Sequence, residues 1–219
     1  MSSLSGQLIN FFAVVLLLLA FAMISQRRVL SLIHFFTMQG VALVAATVVV
    51  AYATGQSHLY VSAGITLVLK VFLIPWLLHR VIDRLGVRWD VETLINIPTT
   101  MLIGIVLVIF SFNLAAPISA LSSSIARGTL GIALACVLLS FMMMITRSKA
   151  VPQVIGFLSM ENGLFFAATA ATYGMPMVVE LGIALDVLVG ILILGVFMFH
   201  IREQFDSLDI RHLEKLKEE

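Results

Sequence analysis

Long apolar stretches separated by short polar segments run along the whole chain. An α-helix rises ~1.5 Å per residue, so about 20 apolar residues are needed to cross a hydrocarbon layer of ~30 Å. Seven stretches reach about that length, and most of the charged residues lie between or after them. The pattern therefore predicts an all-α, polytopic membrane protein with seven transmembrane helices. The predicted spans are 7–25, 29–53, 59–82, 96–115, 127–146, 152–173 and 176–201.

The composition of the 219 residues agrees with a membrane environment. Hydrophobic residues make up 61% and charged residues 11%, against ~45–50% and ~25% in soluble domains. These values exclude a soluble enzyme, a nucleic-acid binder and a secreted disulfide scaffold. The single cysteine, Cys136, can form neither an intramolecular disulfide nor a multi-cysteine cluster. We therefore expect no cofactor, no metal and no catalytic site in this chain.

The basic residues predict the orientation of the helices in the membrane. No basic residue precedes the first apolar stretch and two arginines follow it, which is unlike a cleavable signal peptide. With the amino terminus outside, eleven basic residues fall on the inner side and one, Arg127, on the outer side. The carboxyl terminus is then cytoplasmic. The inner residues are Arg27, Arg28, Arg80, Arg84, Arg88, Arg147, Lys149, Arg202, Arg211, Lys215 and Lys217.

An internal repeat is suggested by the alignment of residues 33–51 with residues 155–173, which continues into the next helix. Chance similarity between apolar helices is the alternative. The repeat predicts two parallel three-helix units joined by a connector helix. The predicted units are 1–94, the connector with its outer loop 95–126, the second unit 127–201 and a tail 202–219. The identical pairs are Ile33/Ile155, Phe35/Phe157, Met38/Met160, Ala45/Ala167, Ala46/Ala168, Thr47/Thr169, Val61/Val179, Gly64/Gly182, Ile65/Ile183 and Leu67/Leu185.

Four acidic or lysine residues lie inside the predicted spans, where a charge costs at least ~2.5–3.5 kcal/mol. Glu161, Asp186 and Lys70 fall near the midplane, and Glu180 lies about one turn from the outer surface. One interpretation is a proton relay of Glu161, Asp186 and Lys70. Another is that these groups only hold helices together, with Lys70 neutralising an acid. Glu180, His34 and Gln39, the repeat counterpart of Glu161, are further candidates.

The chain resembles two known families, one over its carboxyl-terminal half and one over its whole length. The carboxyl-terminal half resembles the NuoK subunit of complex I and its MrpC relatives. The whole chain resembles the hydrogenase-4 component E (HyfE) family, most specifically over residues 60–70 and 159–163. The motifs behind the NuoK-like resemblance are Met160-Glu161-Asn162, Asp186-Val187-Leu188-Val189-Gly190 and a basic-then-polar tail.

The NuoK-like resemblance implies roles for two of the acids. Glu161 corresponds to the glutamate of the second NuoK helix and Asp186 to that of the third. Asp186 is shorter than that glutamate, and its spacing from Glu161 is tighter, so a relay role is less firmly implied there. The implied neighbours are antiporter-like membrane subunits, a quinone-site-type membrane subunit and a peripheral hydrogenase arm carrying the metals.

Together these observations predict a non-catalytic subunit of a complex I-like, group 4 hydrogenase of the formate hydrogenlyase type. It would lie in the bacterial or archaeal cytoplasmic membrane and contribute to membrane-arm assembly and to a buried proton-translocation axis. A pure scaffold of the same complex is the first alternative. A subunit of an Mrp-type cation/proton antiporter, or an independent small transporter, is the second.

Overall fold

The computed structural model describes residues 3–85, 91, 93–121, 126–172, 188 and 195. The regular structure in this part of the chain is helical, apart from isolated β-bridge positions that include the pair of Thr93 and Arg147. The elements are α1 (Ser3–Ser25), α2 (Val29–Thr54), α3 (His58–Thr66), a π-helical segment (Leu67–Leu73), α4 (Ile74–Leu85), α5 (Ile97–Leu121), α6 (Ala126–Thr146) and α7 (Ala150–Thr172).

The helices coincide closely with the first six predicted spans. Helix α3, the π-helical segment and α4 follow one another without a break and occupy the third span. Within the described residues, five stretches are long and apolar enough to cross a membrane, so the chain is a multi-pass membrane protein. These stretches are Leu4–Ser25, Val29–Thr54, His58–Arg80, Ile97–Pro117 and Thr129–Thr146.

Helix α7 occupies the sixth predicted span and has 23 residues, but it is not among the five apolar stretches. Gln153, Glu161 and Asn162 lie within it and lower its hydropathy. The seventh predicted span, 176–201, lies outside the described residues except for positions 188 and 195. The count of seven, the repeat and the boundaries of the units therefore stay predictions.

Helix α5 extends further than the polar pattern predicts. The break was expected to begin at Ala116, but the helix continues through Pro117 to Leu121. A proline removes one backbone hydrogen bond without necessarily ending the helix. The neighbouring boundary of α2 is sharper, because Gly55 has a φ of 69° and its N–H donates to the carbonyl of Ala51 at 2.9 Å. Glycine adopts that left-handed conformation at little cost.

Small residues allow α6 and α7 to approach closely. A Cβ added at Gly163 would lie 3.0 Å from Val137 Cγ2, and one added at Gly156 would lie 2.9 Å from Met144 Cγ. Between these positions the hydroxyls of Ser140 and Ser159 form a hydrogen bond of 2.8 Å. Close backbone approach and a polar contact of this kind are typical of helix pairs in membranes.

The remaining helices enclose an apolar core. Helix α1 packs against α2 and α6, and α2 packs against α7. Core residues from these helices include Phe36, Leu43, Ile155 and Leu158, all fully buried. Helix α5 packs mainly on α6 and leaves large apolar side chains such as Leu102 exposed. This uncharged helix therefore presents an apolar surface that suits lipid or a neighbouring subunit.

A π-helical segment lies directly before Pro75. The N–H of Ile74 reaches the carbonyl of Leu69, five residues earlier, instead of the usual four. Proline lacks an N–H and crowds the preceding turn, which accounts for an irregular backbone at this place. The extra residue in the turn rotates the side chains on either side by about 100° relative to a regular α-helix. Lys70 lies in the middle of this segment.

Candidate functional site

Four polar side chains meet inside the helical bundle, where α2, the π-helical segment and α7 come together. We refer to Gln39, Lys70, Glu161 and Asn162 as the buried polar cluster. Their exposed fractions are 0% for Gln39 and Asn162, 3% for Lys70 and 6% for Glu161. Polar groups so deeply buried are costly unless they contact one another. The cluster is thus held together by its own hydrogen bonds and charges.

Lys70 and Glu161 form the centre of the cluster. The Lys70 ammonium donates to Glu161 Oε2 in a buried ion pair. It also donates to Asn162 Oδ1 at 3.0 Å, and it lies 5.3 Å from the centroid of the Phe165 ring. Two acceptors and an aromatic face therefore surround one cation. Each charge compensates the desolvation of the other, which is the condition under which ion pairs are tolerated in a low-dielectric interior.

Asn162 links this ion pair to α2. Its Nδ2 donates to Gln39 Oε1 at 3.2 Å, while its Oδ1 accepts from Lys70. Two buried atoms of the cluster, Glu161 Oε1 and Gln39 Nε2, have no hydrogen-bond partner among the described residues. One carboxylate oxygen is therefore left to accept a proton or a further hydrogen bond.

The backbone around Gln39 leaves room for the lysine. A Cβ added at Gly40, the next residue, would lie 3.4 Å from Val71 Cγ2 and 3.6 Å from Lys70 Cβ. A glycine here allows α2 to lie close to the π-helical segment. In the alignment of the predicted repeat, Gly40 falls opposite Asn162, the amide that binds the lysine.

The structure brings together three of the predicted site residues, Lys70, Glu161 and Gln39. Their predicted role in a relay stays a prediction. Asp186 and Glu180 lie outside the described residues. His34 is exposed on α2 and hydrogen-bonds through Nδ1 to the carbonyl of Leu30 at 2.7 Å. Within the described part of the chain it makes no hydrogen bond to the cluster.

Two buried polar residues, Asn162 and Arg147, were not predicted from the sequence to be part of such contacts. Asn162 entered only as part of a motif, although the cost of burying an amide in an apolar span would have singled it out. Arg147 was counted only as a cytoplasmic charge. Its position directly after α6 gave no sign that its side chain would be buried.

Arg147 is 1% exposed. Its Nη2 donates to the carbonyl of Ile24 at 2.5 Å and to that of Met23 at 3.3 Å, at the end of α1. Carbonyls at a helix carboxyl end lack intrahelical donors and carry partial negative charge. Burial lowers the pKa of Arg147 to about 10. In the described residues, its Nε and Nη1 have no partner.

Arg147 also takes part in a backbone junction between three inter-helix connections. Thr93 forms a bridge with Arg147, and Leu94 N–H donates to the carbonyl of Thr146 at 2.9 Å. Val91 N–H donates to the carbonyl of Arg27 at 2.7 Å. The segment after α4 is therefore fixed to both the α1–α2 and the α6–α7 connections. All three lie on the side predicted to be cytoplasmic.

Possible metal ligands do not cluster in the described part of the chain. No group of three or more His, Cys, Asp or Glu side chains there is arranged to hold a metal ion.

The chain is similar to known proteins over nearly its whole length. It is 29% identical over 212 residues to the uncharacterized protein Rv0085 of Mycobacterium tuberculosis, covering 96% of each chain. It is 20% identical over 212 residues to hydrogenase-4 component E of Escherichia coli, covering 97% of this chain and 98% of that protein. The same protein of Shigella flexneri matches equally. No family model matches, and no solved structure matches.

The full-length match supports the resemblance to hydrogenase-4 component E that the motifs suggested. It covers both the described helices and the residues after 172, so it is not confined to one unit. The resemblance of the second half to NuoK and MrpC stays a prediction.

Proposed function

We propose that this protein is a non-catalytic membrane subunit of a complex I-like, group 4 hydrogenase complex of the formate hydrogenlyase type. In this proposal the buried polar cluster is part of a proton-translocation axis through the membrane arm. The antiporter-like subunits and the peripheral hydrogenase arm are its partners. Full-length similarity to hydrogenase-4 component E supports the complex, and the Lys70–Glu161 pair supports the axis.

The observation that carries the proton role is a buried lysine–glutamate ion pair in which one carboxylate oxygen has no hydrogen-bond partner among the described residues. In its resting form the pair has no net charge. A proton that arrives at Glu161 Oε1 leaves the pair with a net positive charge, which a low-dielectric interior disfavours. The proton is therefore passed on rather than kept. Asn162 and Gln39 extend the polar contact from α7 to α2.

Asp186, Glu180 and His34 are the further members we propose for this axis. Asp186 corresponds, in the resemblance to NuoK, to the acid of the next helix, and the predicted topology puts Glu180 between it and the outer surface. His34 lies towards the opposite end of α2 from Gly55. Replacing Asp186 by Asn tests its membership, because asparagine keeps the size and hydrogen-bonding capacity but does not carry a proton.

A scaffold role is the second candidate, and one observation favours it. Lys70 is directly neutralised by Glu161 and also contacts Asn162 and Phe165, so the cluster joins three helical elements whether or not a proton moves. In that case the charges act as glue, and their loss affects assembly rather than translocation.

The decisive experiment compares Glu161→Gln, Lys70→Met and the double variant in the purified complex. Each single change leaves one buried charge without its partner, whereas the double change removes both. We expect the single variants to reduce the amount of assembled complex and the double variant to restore it. Subunit abundance is measured beside a pH-gradient assay in vesicles and hydrogen turnover with an artificial electron carrier.

The relay and the scaffold differ in the double variant. If the cluster carries protons, the double variant assembles and turns over hydrogen but does not build a pH gradient. If the cluster is only glue, the double variant assembles and pumps normally. Ser140→Ala is the matched control, because it removes a buried polar contact of α6 and α7 without removing a titratable group. Full assembly and pumping in every variant would contradict both roles.

Membership of a hydrogenase complex is tested separately, by isolating the tagged chain from gently solubilised membranes. We expect hydrogenase subunits to be isolated with it, and the purified chain alone to bind no stoichiometric nickel or iron. An independent transporter would be isolated alone. Antiporter subunits without a hydrogenase arm would indicate the Mrp-type alternative.

The proposed orientation is tested by labelling with an impermeant thiol reagent. Ser57 is exposed in the connection between α2 and α3, on the side predicted to be outside. In a Cys136→Ala background, Ser57→Cys should react in intact cells, and a reporter fused after Glu219 should be cytoplasmic. Labelling of position 57 only in inverted vesicles would contradict the orientation.

A further inference from the structure

A row of polar residues leads along the third span from the surface to the buried polar cluster. His58, Ser62, Thr66 and Lys70 are each four residues apart, so each lies about one helical turn from the next. His58 is partly exposed at the start of α3, whereas Ser62, Thr66 and Lys70 are buried. We refer to these four residues as the polar ladder. It begins at the connection between α2 and α3 and ends at the lysine of the cluster.

Beyond the cluster, the buried face of the same span is apolar. From Lys70 towards the end of α4, the buried side chains at the same spacing are Ile74, Leu78 and Ile82. Aliphatic side chains have neither a donor nor an acceptor, so a narrow space between them stays dry. The lysine therefore lies between a polar half and an apolar half of one helical span.

Two further buried hydroxyls lie at the level of Ser62. Thr47 in α2 and Thr169 in α7 each follow a member of the buried polar cluster by eight residues, about 12 Å along the helix axis. Helices α2 and α7 start side by side, because Arg147, which precedes α7, binds the carbonyls at the end of α1. Ser62 precedes Lys70 by eight residues, in an element that runs back along α2. The three hydroxyls therefore lie on the same side of the cluster.

Three buried atoms of the ladder and the cluster have no hydrogen-bond partner among the described residues. They are Ser62 Oγ, Gln39 Nε2 and Glu161 Oε1. Buried polar groups without a protein partner are usually bonded to ordered water. The spacing of the ladder also suits water, because successive positions are about 6 Å apart along the helix axis. One water molecule that makes two hydrogen bonds of ~2.8 Å spans that distance.

From these observations we propose that the polar ladder binds a chain of water molecules, which connects Lys70 and Glu161 with the surface at His58. The described residues of the third span offer no matching row of buried polar groups on the other side of the cluster. A metal cation is a poorer occupant than water, because the ladder ends at an ammonium group.

This inference deepens the proposed function and rests on it for the proton. In the predicted topology His58 is on the outer side, so Glu161 exchanges its proton with that side of the membrane. The water chain itself does not depend on proton pumping, and it is measured without it.

The test measures how fast Ag⁺ reacts with single cysteines of the full chain in oriented membrane vesicles. Ag⁺ binds thiolates and is small enough for a path one water molecule wide. Free thiols are counted afterwards with a maleimide in denaturant. In a Cys136→Ala background, Ser62→Cys and Thr66→Cys should react at least tenfold faster than Leu78→Cys, which is also buried but lies on the apolar side. They should react from the same side as the exposed Ser57→Cys.

A second variant tests whether the path runs along the ladder. Ser62→Val replaces a hydroxyl by a methyl group and adds bulk, and it should slow the reaction of Thr66→Cys at least tenfold. Val61→Leu, at the exposed neighbouring position, is the matched control and should leave the rate unchanged. If Ser62→Val does not fold, the comparison of Ser62→Cys with Leu78→Cys still decides.

Equal rates at the ladder positions and at Leu78→Cys would overturn the proposal, as would reaction only from the side opposite to Ser57→Cys. Reactive ladder cysteines, together with normal pumping in the double variant of Lys70 and Glu161, would support the water chain and contradict the proton role. Unreactive ladder cysteines, together with a lost pH gradient in that variant, would overturn the water chain alone.

Discussion

Two buried cations, Lys70 and Arg147, are held in different ways. Lys70 lies in a π-helical segment inside the bundle and pairs with the Glu161 carboxylate. Arg147 lies at the end of α6 and is held by the carbonyls of Met23 and Ile24, with no carboxylate partner among the described residues. The charge of Lys70 is compensated by a carboxylate. In the described residues, the charge of Arg147 is met by the partial negative charges of two backbone carbonyls.

The difference separates a site that can exchange protons from one that cannot. A lysine–glutamate pair contains two groups that titrate, so an added proton changes its net charge. A guanidinium is protonated at neutral pH, and a pKa of about 10 still leaves Arg147 charged there. Arg147 Nη2 donates to the carbonyls of Met23 and Ile24 at the carboxyl end of α1. We therefore interpret Arg147 as a structural contact and propose proton transfer only for the buried polar cluster.

The largest effect on stability is expected from removing one partner of the ion pair. Lys70→Met and Glu161→Gln should each lower the free energy of unfolding of the isolated chain by ~3–5 kcal/mol, because the remaining charge is buried alone. The double variant should recover most of this loss. Unfolding in mixed micelles measures all three. If the two single losses simply add in the double variant, Lys70 and Glu161 are not energetically coupled. The contrast between a charge-paired Lys70 and a carbonyl-bound Arg147 would then be wrong.

Arg147→Ala should lower the unfolding free energy by ~2–3 kcal/mol, because two carbonyls lose a charged donor and a large buried side chain is removed. The exposed Arg80→Ala should cost less than ~0.5 kcal/mol. Hydrogen turnover and pumping per assembled complex should be unchanged in Arg147→Ala. A variant that assembles fully but does not pump would move Arg147 into the proton path.

The pKa of Arg147 also predicts the pH dependence of this loss. Burial lowers the pKa from its ordinary value to about 10, so the folded chain releases this proton at a lower pH than the unfolded chain. Well below pH 10 both the folded and the unfolded chain are protonated, and the difference between wild type and Arg147→Ala should be constant from pH 6 to about 9. Above about pH 10 the unfolded chain holds more protons than the folded chain, so the Arg147 contribution should increase stability as pH rises. A slope between pH 6 and 8 would mean that another group titrates with this contact.

A smaller effect is expected at Asn162. Asn162→Ala removes the hydrogen bonds to Lys70 and Gln39 and should cost ~1–2 kcal/mol, mainly because the Gln39 amide is left buried without a partner. Adding Gln39→Leu should recover part of this cost. Unfolding of both variants in micelles measures the recovery. No recovery would indicate that Gln39 has another partner, and the link between α2 and α7 would have to be revised.

The smallest effect is expected at Gly40. A Cβ there meets its neighbours at 3.4 Å or more, which is ordinary contact, and alanine favours a helix over glycine by about 1 kcal/mol. Gly40→Ala should therefore leave stability unchanged or raise it by up to ~1 kcal/mol. Gly163→Ala is the contrasting variant, since its Cβ would lie 3.0 Å from Val137 Cγ2 and 3.2 Å from Val137 N, and it should destabilise. A large loss at Gly40 would show that the Lys70 site is packed more tightly than these distances indicate.

The positions of the helices were predictable from the sequence alone. Transfer of apolar side chains into lipid and hydrogen bonding within one helix depend on neighbours along the chain. The six predicted spans up to residue 173 therefore coincide with helices to within a few residues, except where α5 continues to Leu121. The backbone irregularity before Pro75 and the helical stop at Gly55 also follow from single residues.

The partners of the buried charges were decided only by the tertiary structure. The sequence placed Lys70, Glu161, Glu180 and Asp186 in the membrane and left open which acid the lysine meets. Lys70 and Glu161 are 91 residues apart, and their contact depends on how α7 packs beside α2 and how the π-helical segment turns the lysine. The burial of Arg147 against α1 likewise depends on the packing of α1 on α6. Hydropathy gives the depth of a side chain along its helix, but the direction in which it meets a distant helix is set by packing.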